Sequence, residues 1–154
     1  MQRTISPPDT DSLPDALDLK IGPYAVFLLR VALGAVFLAH ALLKLLVLTL
    51  PGTAAFFAAH GFPGWTAYPV FLAELVGGLA LIAGVYARLV AVALVPVLLG
   101  ALTVHWPNGW SFTAPNGGWE FVAFLLLALL VQVGVGDGAF AVRRSRIPRE
   151  LRRQ

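Results

Sequence analysis

Apolar residues dominate the chain in four runs, 24–50, 68–86, 89–106 and 119–135, separated by links rich in Pro and Gly. A helix that crosses the hydrocarbon of a bilayer needs about 17 to 25 such residues, so each run is long enough, the last two only just. The pattern predicts an all-α fold: an integral membrane four-transmembrane-helix bundle. Pro51 and Gly52 form a strong stop after the first span. Thr53 is then expected to cap a short turn over 54–60 at the membrane surface, before Gly61, Pro63 and Gly64 break it again. In the second span, Gly77, Gly78 and Gly84 let a neighbouring helix approach closely. Pro96 removes a helical hydrogen bond midway along the third span, where a kink is expected. No internal repeat is evident.

Composition agrees with this pattern: 58 % of the 154 residues are hydrophobic and the mean hydropathy is +0.81. Charge then orients the spans. Arg143, Arg144, Arg146, Arg149, Arg152 and Arg153 all follow the fourth run, whereas the links 51–67 and 107–118 hold no Lys or Arg. Basic residues favour the cytoplasmic side, so both termini are expected to be cytoplasmic and the short link at Tyr86, Ala87 and Arg88 to face inward. Trp65, Tyr68, Trp106, Trp110 and Trp119 then fall at the outer ends, where amphipathic rings prefer the interface.

Residues 1–23 carry Asp9, Asp11, Asp15 and Asp18 among Pro7, Pro8, Pro14 and Pro23. This composition reads as a disordered cytoplasmic tail, and its acidity argues against a removable signal peptide. Residues 141–154 read as a basic cytoplasmic tail that enforces topology and touches anionic lipid, each cation contributing about 1 kcal/mol near the surface. Nothing in that cluster calls for nucleic acid. The chain has no Cys, which excludes disulfides, thiolate metal sites and a cysteine redox relay within it. Redox work would need a bound cofactor or a partner.

Within the runs lie ionisable groups, each a candidate functional residue because charge in a bilayer is costly. Arg30 and Lys44 are about 21 Å apart in height but only about 40° apart in angle on a helix, with His40 on the same arc. Glu74 and Arg88 repeat that fourteen-residue separation, with Gly77, Gly78, Leu81 and Gly84 near their stripe. Antiparallel pairing brings His40, Lys44, Glu74, His105 and Glu120 to one outer level, with Lys44 and Glu74 as the leading ion pair. Arg30 and Arg88 are left at an inner level, with Asp137 as the acid available to them.

Two roles suit the outer ring. Polar side chains joined across helices stabilise a membrane bundle by about 0.6 kcal/mol per contact, which is a purely structural role. Alternatively the ring forms a pocket in which Lys44 and His40 hold an anionic or carbonyl-bearing ligand. A quinone head group suits such a pocket, with His or Glu nearby for proton exchange. A zinc or iron site on His40, His105, Glu74 and Glu120 is disfavoured, because HxxH, HExxH and ExxH spacings are lacking and Lys44 repels a cation. His60 reads as a loop residue.

Taken in order, LLRVALGAVFLAHALLKL, HGFPGW, AELVGGLALIAGVYARLVA and the stretch from HWPNGW to GGWEF resemble the DoxX family of small bacterial membrane proteins over roughly 24–140. The resemblance implies four transmembrane helices in the bacterial inner membrane and a link to the small subunit of thiosulfate:quinone oxidoreductase. It carries over Arg30, Lys44, Glu74, Arg88, His105 and Glu120 as the family's polar positions. The function expected is that of an accessory or quinone-interacting subunit of a membrane oxidoreductase system. The alternatives are a non-catalytic assembly or scaffold subunit and, third, a small transporter. The partners to expect are membrane lipids, an oxidoreductase subunit and a second copy of the chain.

Overall fold

The structure is a computed structural model and describes residues 16–145. The ends of the two expected tails, 1–15 and 146–154, lie outside the described residues. All regular structure among the described residues is helical apart from one isolated bridge between Val85 and Arg143. Helix α1 runs over Ala16–Leu42 and continues as a π-helical turn, Leu43–Val47. A short α2, Leu50–Ala59, and a 3-10 turn, Gly64–Thr66, lead into α3, Ala67–Ala83. Helix α4, Ala87–His105, ends in the turn Trp106–Asn108, and α5 is Glu120–Val135. Residues 136–145 then fold back as a strap across the helix ends.

Three helical stretches are long and apolar enough to cross a membrane: Lys20–Val47, Gly64–Ala83 and Ala87–Asn108. Helix α5 is also apolar but shorter. The outer surface of the helices is apolar. Leu28, Leu46, Leu72, Leu79, Leu89, Phe124 and Leu127 are exposed, whereas Arg30, Thr53, Glu74 and Gln132 are buried alongside apolar residues. Helices α1, α3, α4 and α5 pack in that sequence, and α5 also reaches α1. Leu33, Phe37, Leu81, Leu94, Leu98, Val122, Leu125 and Leu129 form the core between them.

Glycine brings α1 and α3 together. A Cβ at Gly34 would lie 2.7 Å from the Gly78 carbonyl oxygen, and one at Gly78 would lie 2.9 Å from the Gly34 oxygen and the Leu38 nitrogen. The backbones therefore meet at Gly34 and Gly78, but Arg88 lies on α4 beyond the end of α3, so the stripe expected to join Glu74 and Arg88 on one helix is not formed. Gly84 ends α3 in the left-handed conformation, φ 70° and ψ 44°. Its N–H donates to Leu81 O and that of Val85 to Ala80 O, a Schellman stop that only a residue without a Cβ adopts cheaply.

Two boundaries differ from expectation. The first helix starts at Ala16, so 16–23 is helix rather than disordered tail, and Pro23 sits inside it. Pro23, the eighth residue of α1, lacks the N–H that would reach back to Leu19 O, and its own carbonyl accepts from Ala139 N at 2.8 Å. After the first span, the cap is Thr49 rather than Thr53: its side chain accepts from Gly52 N, and Pro51 and Gly52 lie within the first turn of α2. Pro is tolerated there because its missing N–H would have had no helical partner. Helix α4 continues through Pro96.

Candidate functional site

At the end where α1 gives way to α2, a cavity of about 280 Å³ opens between α1, α2, α3, α4 and the start of α5. Its walls are mostly apolar, with Phe37, Phe56, Phe57, Phe62 and Phe121 supplying aromatic surface. Leu48 and Phe56 in the lining are exposed, so the cavity reaches the protein surface. Lys44, Glu74, His40 and His105 lie in the same lining.

The π turn widens the helix where Lys44 is placed, a distortion that often accompanies functional positions. Lys44 Nζ donates to both carboxylate oxygens of Glu74, at 2.9 and 2.7 Å, with side-chain exposures of only 13 % and 7 %. It is the single ion pair among the described residues. Its burial makes each partner depend on the other, because removing one strands a charge in an apolar wall. His40, one helical turn before Lys44, donates from Nδ1 to Val36 O at 2.9 Å. His105 donates from Nδ1 to Gly117 O at 3.0 Å, which fastens the end of α4 to the loop before α5.

Glu120 does not join this group. Its Oε1 accepts from Phe112 N at 2.8 Å, and the side chain braces the 109–119 loop instead of facing the cavity. Height along the axis placed it level with Lys44, but as the first residue of α5 it is aimed at the loop, where backbone N–H groups need acceptors. That loop is well built: Trp119 stacks on Trp106 at 4.8 Å and meets Trp110 edge-on at 4.5 Å. His60 is exposed and bonds Phe56 O within its own turn.

The opposite end corrects a second expectation. Arg30 is fully buried, and its guanidinium donates to Leu81 O at 2.8 Å, Ile82 O at 3.1 Å and Ala139 O at 3.1 Å. Arg88 donates to Gly134 O at 3.1 Å. Both arginines thus satisfy carbonyls in the last turn of a neighbouring helix, where a cation also complements the helix dipole. Neither makes an ion pair with Asp137. The Asp137 carboxylate accepts from Ser145 N at 2.8 Å and Ser145 Oγ at 2.9 Å. Arg88 and Asp137 do share a groove of about 420 Å³ with Arg144 and Gly22. The strap is further held by Tyr86 N to Arg143 O at 2.8 Å, and by Phe140 against Tyr24 and Phe27. The boundary expected between the helical domain and the basic tail at 140 falls within this docked strap.

Sequence reasoning missed the aromatic and threonine walls of the cavity. Phe56, Phe57 and Phe62, close together around the HGFPGW stretch, were the available signal, but α2 was expected to lie on the membrane surface. Thr53, 1 % exposed, also lines the cavity. Gln132, wholly buried on α5, bonds Gly136 O and escaped notice because a lone amide in an apolar run has no spacing signature.

Long apolar helices, large apolar side chains facing outward and charges sequestered within define an α-helical membrane protein with a charged, apolar-walled cavity. The family model for DoxX matches residues 25–106, more than half of the chain, and the protein belongs to that family. It is 37 % identical over 75 residues to a Bacillus subtilis (strain 168) protein named "Putative oxidoreductase CatD". That match covers 49 % of this chain and 54 % of the relative, so the chain spans about half the length of the curated relative it matches. No solved structure matches.

Proposed function

We propose that the cavity is the ligand site of an accessory, quinone-interacting subunit in a membrane oxidoreductase system. The observation that carries this reading is the buried Lys44–Glu74 pair set in the wall of an aromatic cavity alongside two imidazoles. At about 280 Å³ the space is near the lower end for small-molecule sites, which suits one ring rather than a larger cofactor. Flat aromatic walls suit a quinone ring, and the opening beside Leu48 and Phe56 suits an apolar tail leaving toward lipid. A bound quinone would supply two-electron redox chemistry that a chain without cysteine lacks. Phe37, Phe57 and Phe121 would hold the ring and exclude water. Lys44 has a third N–H beyond the two given to Glu74, and His40 and Glu74 are placed to hold a proton beside the ring. The name of the Bacillus subtilis relative is consistent with an oxidoreductase system. The same reading takes α5 as a fourth crossing, with both termini on the cytoplasmic side of a bacterial inner membrane.

Purified protein in detergent should melt at a higher temperature with a short-chain quinone analogue, and Lys44→Ala should abolish the gain. A melting temperature unmoved by a panel of quinones in both their oxidised and reduced forms would refute the reading. A second reading is favoured by one observation: Lys44 and Glu74 already satisfy each other at 2.7 and 2.9 Å. It makes the pair a lock in a non-catalytic assembly subunit, for which a stoichiometric partner should copurify in mild detergent.

A further inference from the structure

The hydrogen-bonding groups in the cavity wall share a direction. His40 Nδ1 is engaged by Val36 O and His105 Nδ1 by Gly117 O. A carbonyl oxygen only accepts, so each Nδ1 carries a proton, and in that tautomer of the ring Nε2 is the acceptor. No protein group among the described residues bonds either Nε2. The two threonines in the lining follow the same rule: Thr53 Oγ1 donates to Thr49 O at 2.9 Å and Thr66 Oγ1 to Pro63 O at 2.6 Å. Their remaining capacity is lone pairs. Glu74 adds carboxylate oxygens, and the one spare donor in this set is the third N–H of Lys44.

Backbone carbonyls thus occupy the donors of the wall and leave its acceptors facing an apolar space. A ligand that brings acceptors of its own finds almost no partner there, and its oxygens lose their hydration without replacement. A ligand that brings O–H donors finds several. Resting on the reading that the cavity holds an aromatic ring, we infer that it selects the reduced, hydroxyl-bearing ring, a hydroquinone, over the carbonyl-bearing quinone of the same skeleton. His40 and His105 are then the specificity-determining residues, each through Nε2, and the apolar walls bind both forms alike. Preferential binding of the reduced form makes the cavity a place where hydroquinone is retained and quinone is released.

Three ligands of one skeleton test this on the purified full-length protein under argon: tetramethylhydroquinone, tetramethylbenzoquinone and the hydroquinone dimethyl ether, which has no donor. Binding is read by titration calorimetry, with thermal shift as a second readout. The hydroquinone should bind at least about tenfold more tightly than the quinone or the ether, the scale of one net hydrogen bond. His40→Gln and His105→Gln each introduce an amide N–H, so in whichever variant folds the ratio should fall toward unity by tighter quinone binding as well as weaker hydroquinone binding. Equal affinity of wild-type protein for all three, or tighter binding of the quinone, overturns the donor preference while leaving a ring site in place. Binding of none of them overturns the preference and the ring site together.

Discussion

At the strap end, Arg30 and Arg88 donate to backbone carbonyls at the ends of α3 and α5, and only Arg30 Nε and Gln132 Oε1 are left buried without a partner among the described residues. At the cavity end, Lys44 and Glu74 satisfy each other, but the groups around them keep unused lone pairs beside open space. Both ends contain ionisable residues in apolar helices, and both look alike as a list of residue types. The difference lies in what remains after internal bonds are made. A cation bound to carbonyls ties helices together, whereas a paired charge with acceptors around a void is equipped to meet a ligand.

The largest effect is expected at Arg30. Arg30→Ala strips three carbonyls of their donor and leaves a hole at the α1, α3 and strap junction, a loss of about 3 to 4 kcal/mol, near the upper range for one substitution. Urea unfolding in mild detergent measures it. Stability close to wild type would break the contrast, because the strap end would no longer be structural. Glu74→Gln should cost about 3 kcal/mol by leaving the Lys44 ammonium unpaired in an apolar wall. Replacing both partners, Lys44→Met with Glu74→Leu, should restore most of that stability in the same assay. A double variant as unstable as the single one would mean that the pair contributes more than mutual neutralisation.

Gly78→Ala forces a methyl group against the Gly34 carbonyl and should cost about 1 to 3 kcal/mol, read as a lowered melting temperature. Ligand affinity should change little in comparison with the Lys44 variants. Smallest is Glu120→Gln. An amide oxygen still accepts from Phe112 N, so stability should move by less than about 1 kcal/mol and ligand binding not at all. Loss of ligand binding in this variant would return Glu120 to the cavity group.

Helix positions were legible in the sequence because apolar runs bounded by Gly and Pro leave few choices. The observed α3 and α4 lie within a few residues of the expected spans. The start of α1 was not legible, since Pro23 looks like a breaker, yet the helix runs through it. The grouping of His40, Lys44, Glu74 and His105 followed from helical rise and antiparallel pairing. The same reasoning failed for Glu120 and for Asp137 because their partners are Phe112 N, and Ser145 N and Oγ. Partners for Arg30 were equally invisible: a sequence shows which carboxylates exist but not which carbonyls a helix end leaves free. The cavity itself is a property of α2 folding over the helix ends, and its phenylalanines carry no polar signal.

The central claim is that the cavity end is built to hold a ring ligand, with the Lys44–Glu74 pair in its wall. Thermal melting of wild type and of the Lys44→Met, Glu74→Leu double variant, each with and without a matched quinone and hydroquinone, tests it most directly. The account predicts that ligand raises the wild-type melting temperature and raises that of the double variant, folded and nearly as stable, by much less. Equal ligand stabilisation of both proteins, or of neither, would contradict it.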